Sequence, residues 1–100
     1  MITRIVLIKL NDEHATDAGR AEAAAEAKRV MPHVAGVRSV EVGLPGEPDS
    51  LRSWDLSLLV RLDSVDALPA YQADAAHRAF VDTFLKPRKA MSKAWNFEAQ

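Results

Sequence analysis

The side chains best suited to chemistry in this 100-residue sequence are His77 and Tyr71, which stand six positions apart. Histidine ordinarily has a pKa of about 6.5, so it exchanges a proton readily near neutral pH. A neutral His77 in a cavity could remove a proton next to a substrate carbonyl, while the Tyr71 hydroxyl stabilises the enolate oxygen that develops. Taken alone, the residues favour a plainer interpretation, in which His77 is a core histidine that binds a backbone carbonyl or Tyr71.

Two charged residues are candidates to assist this pair. Asp74 lies one helical turn before His77, where its carboxylate can cap the helix or orient the imidazole; capping is favoured, and the carboxylate is expected to raise the pKa of His77. Arg4 shares one face of a predicted strand with Val6 and Ile8. If that face lines the cavity, Arg4 receives an anionic group of the substrate, although a salt bridge at the sheet edge is favoured. His77 and Tyr71 are thus the predicted catalytic residues, and the predicted substrate-binding residues include Arg4, Asp74, Val6 and Ile8.

Small and aromatic residues complete the predicted site. Ala24 and Ala27, if they face the sheet, leave either a roomy apolar pocket for a hydrophobic substrate or simply a closer helix. Trp95 is a candidate ligand contact, although a place in the core or in a dimer interface is favoured. The three histidines are scattered without ligand spacing, and no phosphate-binding loop is present, so neither a metal nor a cofactor is expected.

Length and composition limit the possible classes of protein. The chain is predicted to form one domain over residues 1–100, because it is too short for two separate cores. A formal net charge of -1 argues against binding to nucleic acid, and no apolar run approaches the ~20 residues of a membrane span. With no cysteine in the chain, the cytoplasm is the expected location.

Hydrophobic periodicity predicts the elements that position these residues. A helix is expected from Thr16 or Asp17 to Pro32, and two helical pieces within 64–86, the second capped by Asp74. A plain loop is expected at 44–49. Alternating apolar residues predict strands at 2–10, 37–43, 53–62 and 91–98. The order β-α-β-β-α-β predicts an α+β, ferredoxin-like fold: a four-stranded antiparallel sheet with the helices on one face.

The second face of this sheet needs a cover. The first strand is apolar on both faces, and Trp54 and Trp95 add large apolar side chains. If several hundred Å² of apolar sheet surface stayed exposed to water, the chain would lose on the order of 10 kcal/mol of hydrophobic stabilisation. That is comparable with the whole free energy of unfolding of a domain. We therefore expect a homodimer in which two sheets pack face to face.

Several segments in order resemble the stress-responsive α/β-barrel family, the Dabb domains, which are dimers of the ferredoxin-like unit. The resemblance spans nearly the whole chain and rests on RIVLIKL at 4–10, PHVAGVRSVEVG at 32–43, WDLSL at 54–58, DSVDAL at 63–68, YQADAAH at 71–77 and WNFE at 95–98. The implied architecture is a dimeric α/β barrel.

The resemblance also implies a chemistry. The best understood members resemble plant polyketide cyclases, in which a histidine at the position of His77 is the general base and a tyrosine at the position of Tyr71 polarises the substrate, without metal or organic cofactor. Arg4 and Asp74 replace histidines that the family usually shows. The expected function is cofactor-free cyclisation or isomerisation of a small hydrophobic carbonyl compound. The alternatives are a non-catalytic, stress-related or ligand-binding dimer and an enzyme like the cofactor-independent monooxygenases.

Overall fold

Four antiparallel strands form one sheet in the computed structural model, which describes all residues from Met1 to Gln100. The strands are β1 (Ile2–Leu10), β2 (Ser39–Gly43), β3 (Leu56–Leu62) and β4 (Lys89–Glu98). Their order in the sheet is β2-β3-β1-β4, so β1 is central and pairs with both β3 and β4. This order and the helices between the strands confirm the predicted ferredoxin-like fold.

The longest helix is α1 (Asp17–Val30), which packs on one face of the sheet. Thr16 caps its start, because the Thr16 side chain accepts a hydrogen bond from the Gly19 amide. A short 3-10 turn, Met31–His33, contains Pro32 and follows the helix directly. Gly36 then reverses the chain at a φ of 80°, a left-handed conformation that glycine adopts without strain.

The expected loop before β3 is partly wrong. Residues Pro48–Ser53 form a short helix, α2, and β3 begins only at Leu56, three residues later than the predicted start at 53. The Glu47 carboxylate accepts hydrogen bonds from the amides of Asp49 and Ser50, and Pro48 stands in the first turn, where its fixed φ favours a helix. Trp54 therefore precedes the strand instead of sharing its apolar face.

The second helical region has more pieces than the periodicity predicts. A 3-10 turn at Val65–Ala67 leads into α3 (Leu68–Ala73), and Asp74 separates α3 from α4 (Ala75–Ala79). The chain then continues as a π-helical segment, Phe80–Leu85, which the sequence pattern did not reveal. None of the helices has both the length and the apolar character that crossing a membrane requires.

The two faces of the sheet differ in what covers them. The helix-covered face holds the core, where Ile8 and Val60 have no exposed surface. The opposite face, which we call the open face, is uncovered in a single chain: Trp95 is 45% exposed and Phe97 57% exposed. Ile5 lies beside Trp95 on that face, since the two residues pair across β1 and β4.

A buried ion pair fastens α1 to the sheet. Asp55, which is only 2% exposed, accepts hydrogen bonds from the Leu10 amide at 2.8 Å and from Arg20 Nη1 at 3.1 Å. Arg20 also binds the exposed Asp17. A buried carboxylate with these partners is well satisfied, and the loss of either partner leaves a buried charge or donor unpaired.

Asp55→Ala should therefore lower the free energy of unfolding by about 3 kcal/mol, because it leaves the buried Leu10 amide without an acceptor and removes the buried one of the two carboxylates that Arg20 binds. Asp49→Ala, which removes an exposed ion pair with Arg52, is the matched control and should change that free energy by less than about 0.5 kcal/mol. Urea denaturation at one fixed protein concentration measures both. Equal effects of the two substitutions would show that the buried pair does not hold α1 in place.

Candidate active site

A pocket of about 450 Å³ opens between the helix-covered face of the sheet and the segment that follows α3. Five predicted site residues line it together: Arg4, Val6, Ile8, Tyr71 and His77. The first three alternate along β1, so the two-residue period of a strand places them on one face. The volume lies within the range of roughly 300–1,000 Å³ that is typical of small-molecule sites.

Tyr71 and His77 are in direct contact although they belong to different helices. Their ring centroids are 4.5 Å apart, with an angle of 41° between the ring planes. Tyr71 lies in the last turn of α3 and His77 in the first turn of α4, so the break at Asp74 turns the two side chains toward each other. The His77 Nδ1 atom is buried and has no hydrogen-bond partner in the chain.

Burial lowers the pKa of His77, and the positive charges of Arg78 and Arg4 act in the same direction. The backbone of Gln72 and the Asp74 carboxylate oppose this shift without reversing it. The expectation that Asp74 raises the pKa is thus right about the sign of its own contribution and wrong about the result, because desolvation is the larger effect. A lowered pKa keeps the imidazole neutral at pH 7, which is the form that accepts a proton.

Burial raises the pKa of Tyr71, whose side chain is almost completely enclosed. The guanidinium of Arg4 acts in the opposite direction; its central carbon lies 5.7 Å from the Tyr71 ring centroid. Since the net shift is upward, Tyr71 stays a protonated phenol throughout the physiological pH range. It can therefore donate a hydrogen bond to an oxygen in the pocket.

Arg4 has only a neutral partner in the chain. Its Nη1 donates to Asn96 Oδ1 at 3.1 Å, and its buried Nε has no acceptor. The expected edge salt bridge does not form, because no carboxylate lies within ion-pair distance of Arg4. An unpaired buried donor ordinarily costs about 1–3 kcal/mol. The pocket thus presents a guanidinium with unused hydrogen-bonding capacity.

Asp74 acts as a cap and does not line the pocket. Its Oδ1 accepts hydrogen bonds from the amides of Ala76 and His77 at 2.9 and 3.1 Å, and its Oδ2 accepts one from the Ala35 amide at 3.1 Å. The backbone hydrogen bonds from His77 and Ala35 are the main reason that the pKa of Asp74 is lowered. The carboxylate therefore positions His77 through its backbone, and the expected capping role is confirmed.

The structure places Ala24, Ala27 and Trp95 outside this pocket. Both alanines are buried in the core on the inner face of α1, which fits the closer-helix alternative. Trp95 lies on the open face, on the other side of the sheet from Tyr71. Within one chain, none of the three can contact a molecule bound beside His77.

The pocket also contains residues that the sequence did not assign to it. The π-helical segment supplies Phe80, Val81 and Leu85, and the charged rim includes Arg78 and Lys89. Phe80 and Val81 fall on the same predicted helix face as His77, so the periodicity carried a signal for them. The wider turn of a π-helix gives no comparable sequence signal, and such turns frequently occur at functional sites.

Comparison with known proteins identifies the family. The protein-family model described as Stress responsive A/B Barrel Domain (Dabb) matches residues 2–97 of the chain. The chain belongs to this family, as its segments at 4–10 and 63–77 had indicated. No curated protein matches the chain.

Solved structures share the fold at low sequence identity. A dimeric protein of unknown function from Bacteroides fragilis is 24% identical, with a TM-score of 0.79 over 98% of this chain and 95% of that one. A Dabb family protein from Mesorhizobium loti is 18% identical, with a TM-score of 0.81 over 99% and 96%. The hydroxynitrile lyase of Passiflora edulis is 11% identical, with a TM-score of 0.78 over 99% and 93%. These likenesses confirm the ferredoxin-like fold.

The lowered pKa of His77 predicts a pH dependence of stability. The unfolded chain takes up a proton at His77 from about pH 6.5 downward, whereas the folded chain resists it until lower pH, so the free energy of unfolding falls as the pH drops from about 7 to 5. Urea denaturation across this range should show a smaller fall in His77→Gln. The exposed His33 provides the control, and His33→Gln should behave like the wild type. An unchanged pH dependence in His77→Gln would contradict a lowered pKa.

Proposed function

We propose that this protein is a homodimeric enzyme that binds a small hydrophobic carbonyl compound and catalyses cofactor-free proton transfer on it. His77 is the general base and Tyr71 the oxyanion donor. One observation carries the proposal: the two buried side-chain atoms without hydrogen-bond partners, Arg4 Nε and His77 Nδ1, both belong to residues of the same pocket. Buried polar groups in native proteins are nearly always paired, and exceptions call for an explanation such as catalysis.

The proposed step begins with His77 removing a proton from the carbon next to the carbonyl. The electrons of the broken C–H bond form a carbon–carbon double bond, and the carbonyl π electrons move to oxygen. Tyr71 donates its hydrogen bond to that oxygen as the negative charge develops. If the substrate has a carbon–carbon double bond beside that carbon, the protonated His77 returns the proton at the far end of the resulting dienolate, which is an isomerisation. Alternatively, the enolate carbon attacks a second carbonyl of the same molecule and closes a ring, and His77 gives its proton to the alkoxide that forms. Every electron pair stays within the substrate.

The shifted pKa values suit these two roles. Burial keeps His77 neutral and ready to accept a proton, and it keeps Tyr71 protonated and able to donate. A positioned general base ordinarily contributes about 10²–10⁴-fold to a rate, and one oxyanion donor about 10²–10³-fold. The apolar walls, which include Val6, Ile8 and Phe80, favour the carbon skeleton of such a substrate and exclude water from the enolate.

The fold is compatible with catalysis, since the structurally similar Passiflora edulis protein is a hydroxynitrile lyase. That similarity shows that this fold is used by an enzyme, but it does not assign a catalytic role to any residue of this chain. The contact between Tyr71 and His77 supports the assignment of the roles here. In the rival, non-catalytic function, the same pocket would bind a ligand without removing a proton.

Deuterium exchange tests the proton transfer without knowledge of the natural substrate. In D₂O buffer, the protein should accelerate exchange of the hydrogens next to the carbonyl of 4-phenylbutan-2-one, followed by proton NMR. His77→Gln should slow the catalysed exchange by about 100-fold or more, and Tyr71→Phe, which keeps the ring that packs on His77, by about 100-fold.

The exposed His33 again supplies the matched control: His33→Gln should catalyse exchange of the ketone at the wild-type rate. All variants should melt within a few degrees of the wild type, so that a lost rate reports chemistry and not unfolding. Wild-type exchange that persists in His77→Gln would remove His77 as the base. Binding of the ketone without any accelerated exchange would favour the non-catalytic alternative.

The open face supports the homodimer. Met91, Trp95 and Phe97 project from β4 on this face and are 43%, 45% and 57% exposed. A second copy of the chain, its sheet packed on the first, would cover them and complete an α/β barrel. The Bacteroides fragilis protein of the same fold is dimeric. Face-to-face packing would leave the pocket of each chain on the outer, helix-covered side of its sheet.

A charge on the open face should therefore separate the subunits. Trp95→Arg should convert the dimer into a monomer in size-exclusion chromatography with light scattering, because it buries an unpaired charge in the interface. Val65→Arg places the same charge on a residue of similar exposure, 52% against 45%, that lies outside the sheet, and it should leave the dimer intact. A monomeric wild type, or a Trp95→Arg variant that remains dimeric, would contradict this packing.

A further inference from the structure

We infer that the molecule bound in this pocket is an acid, a hydrophobic compound whose carboxylate binds Arg4. The inference rests on the proposed function, since it uses the same pocket, and it names the chemical class of the substrate. It is carried by the charge distribution around the pocket and not by the chemistry at His77.

Arg4 differs from every other arginine of the chain. Each of the remaining seven lies within ion-pair distance of an aspartate or glutamate, in pairs that are mostly at the surface. Arg4 is the one arginine without a carboxylate, and it is the one whose guanidinium has a buried nitrogen with no acceptor. It donates a hydrogen bond to the neutral amide of Asn96, and its other polar neighbour, the Tyr71 phenol, is also uncharged. The positive charge of Arg4 is thus left for a partner outside the chain.

The other residues that line the pocket add to its excess of positive charge. Four lining residues are basic (Arg4, Arg78, Lys89 and Lys93), and no aspartate or glutamate is among the lining residues. Arg78 forms an ion pair with Asp82, and Lys89 donates to the Ser92 hydroxyl at 3.1 Å, whereas Arg4, which lies beside Tyr71, has no carboxylate partner. A ligand that brings a negative charge would be attracted to this pocket, and a cation would be repelled.

The arrangement of Arg4 and Tyr71 in the pocket further restricts the chemical class of the ligand. Guanidinium groups bind carboxylates through two parallel hydrogen bonds, and the apolar walls formed by Val6, Ile8 and Phe80 accommodate a hydrocarbon body. The Arg4 guanidinium carbon lies 5.7 Å from the Tyr71 ring centroid. A carboxylate on Arg4 and a carbonyl near Tyr71 can therefore belong to one molecule, with a few carbon atoms between them. The class is a hydrophobic oxo acid.

A matched pair of probes tests the inference by calorimetry on the 100-residue chain. The acid is 5-oxo-5-phenylpentanoate, and the neutral control is 5-oxo-5-phenylpentanamide, which has the same shape without the charge. The wild type should bind the acid about 10- to 100-fold more tightly than the amide, as expected for a hydrogen-bonded charge pair in a partly desolvated site.

Three variants locate the source of that preference. Arg4→Gln should bind the two probes within about twofold of each other, whereas Arg4→Lys should keep part of the preference because it keeps the charge. Arg38→Gln, which removes an arginine of the exposed pair with Asp63, should keep all of it. Equal binding of both probes by the wild type, no binding of the acid at millimolar concentration, or an undiminished preference in Arg4→Gln would each overturn the inference.

The test also separates this inference from the proposed chemistry. His77→Gln should retain the preference for the acid, because Arg4 keeps its charge when His77 is replaced. A protein that prefers the acid but does not accelerate deuterium exchange would be an acid-binding protein, and only the proposed catalysis would fail. If the protein accelerates exchange but binds the acid and the amide equally, the proposed catalysis would stand and the inference of an acidic substrate would fail.

Discussion

The geometry of the pocket depends on the three hydrogen bonds that Asp74 accepts. One carboxylate oxygen accepts hydrogen bonds from the amides of Ala76 and His77. The other accepts a hydrogen bond from the amide of Ala35, in the turn after α1. The first two bonds start α4 at the point where α3 ends, which directs Tyr71 and His77 toward each other. The third bond ties this junction to the rest of the domain. A short polar side chain thus sets the relative orientation of the two residues proposed to act on the substrate.

Desolvation then gives those residues their chemical character. The same burial lowers the pKa of His77 and raises that of Tyr71, so both are neutral at pH 7. Arg4 is the charged member of the group, and its positive charge further favours the neutral imidazole. The sheet divides its two faces between two tasks: the helix-covered face builds the pocket, and the open face carries the apolar surface that we assign to a second copy of the chain.

The sequence predicted those features that follow from local patterns. Period-two alternation predicted the central strand and placed Arg4, Val6 and Ile8 on one face, and the position of Asp74 predicted its cap. The short helix at 48–53 was missed although Glu47 and Pro48 are a recognisable start signal. The π-helical segment and the net direction of the His77 pKa shift could not be predicted in this way. Both depend on how distant segments pack, and the amount of water excluded from a side chain is not encoded within one turn of helix.

The central claim is that His77 is a neutral base in a ligand-accessible pocket. Nitrogen NMR of the histidine rings, with the His77 signals assigned through His77→Gln, tests it most directly. The account predicts that His77 titrates below its ordinary pKa of about 6.5 and that its signals move when 4-phenylbutan-2-one is added. A His77 that titrates at or above about pH 6.5, or whose signals do not move when the ketone is added, would contradict this claim.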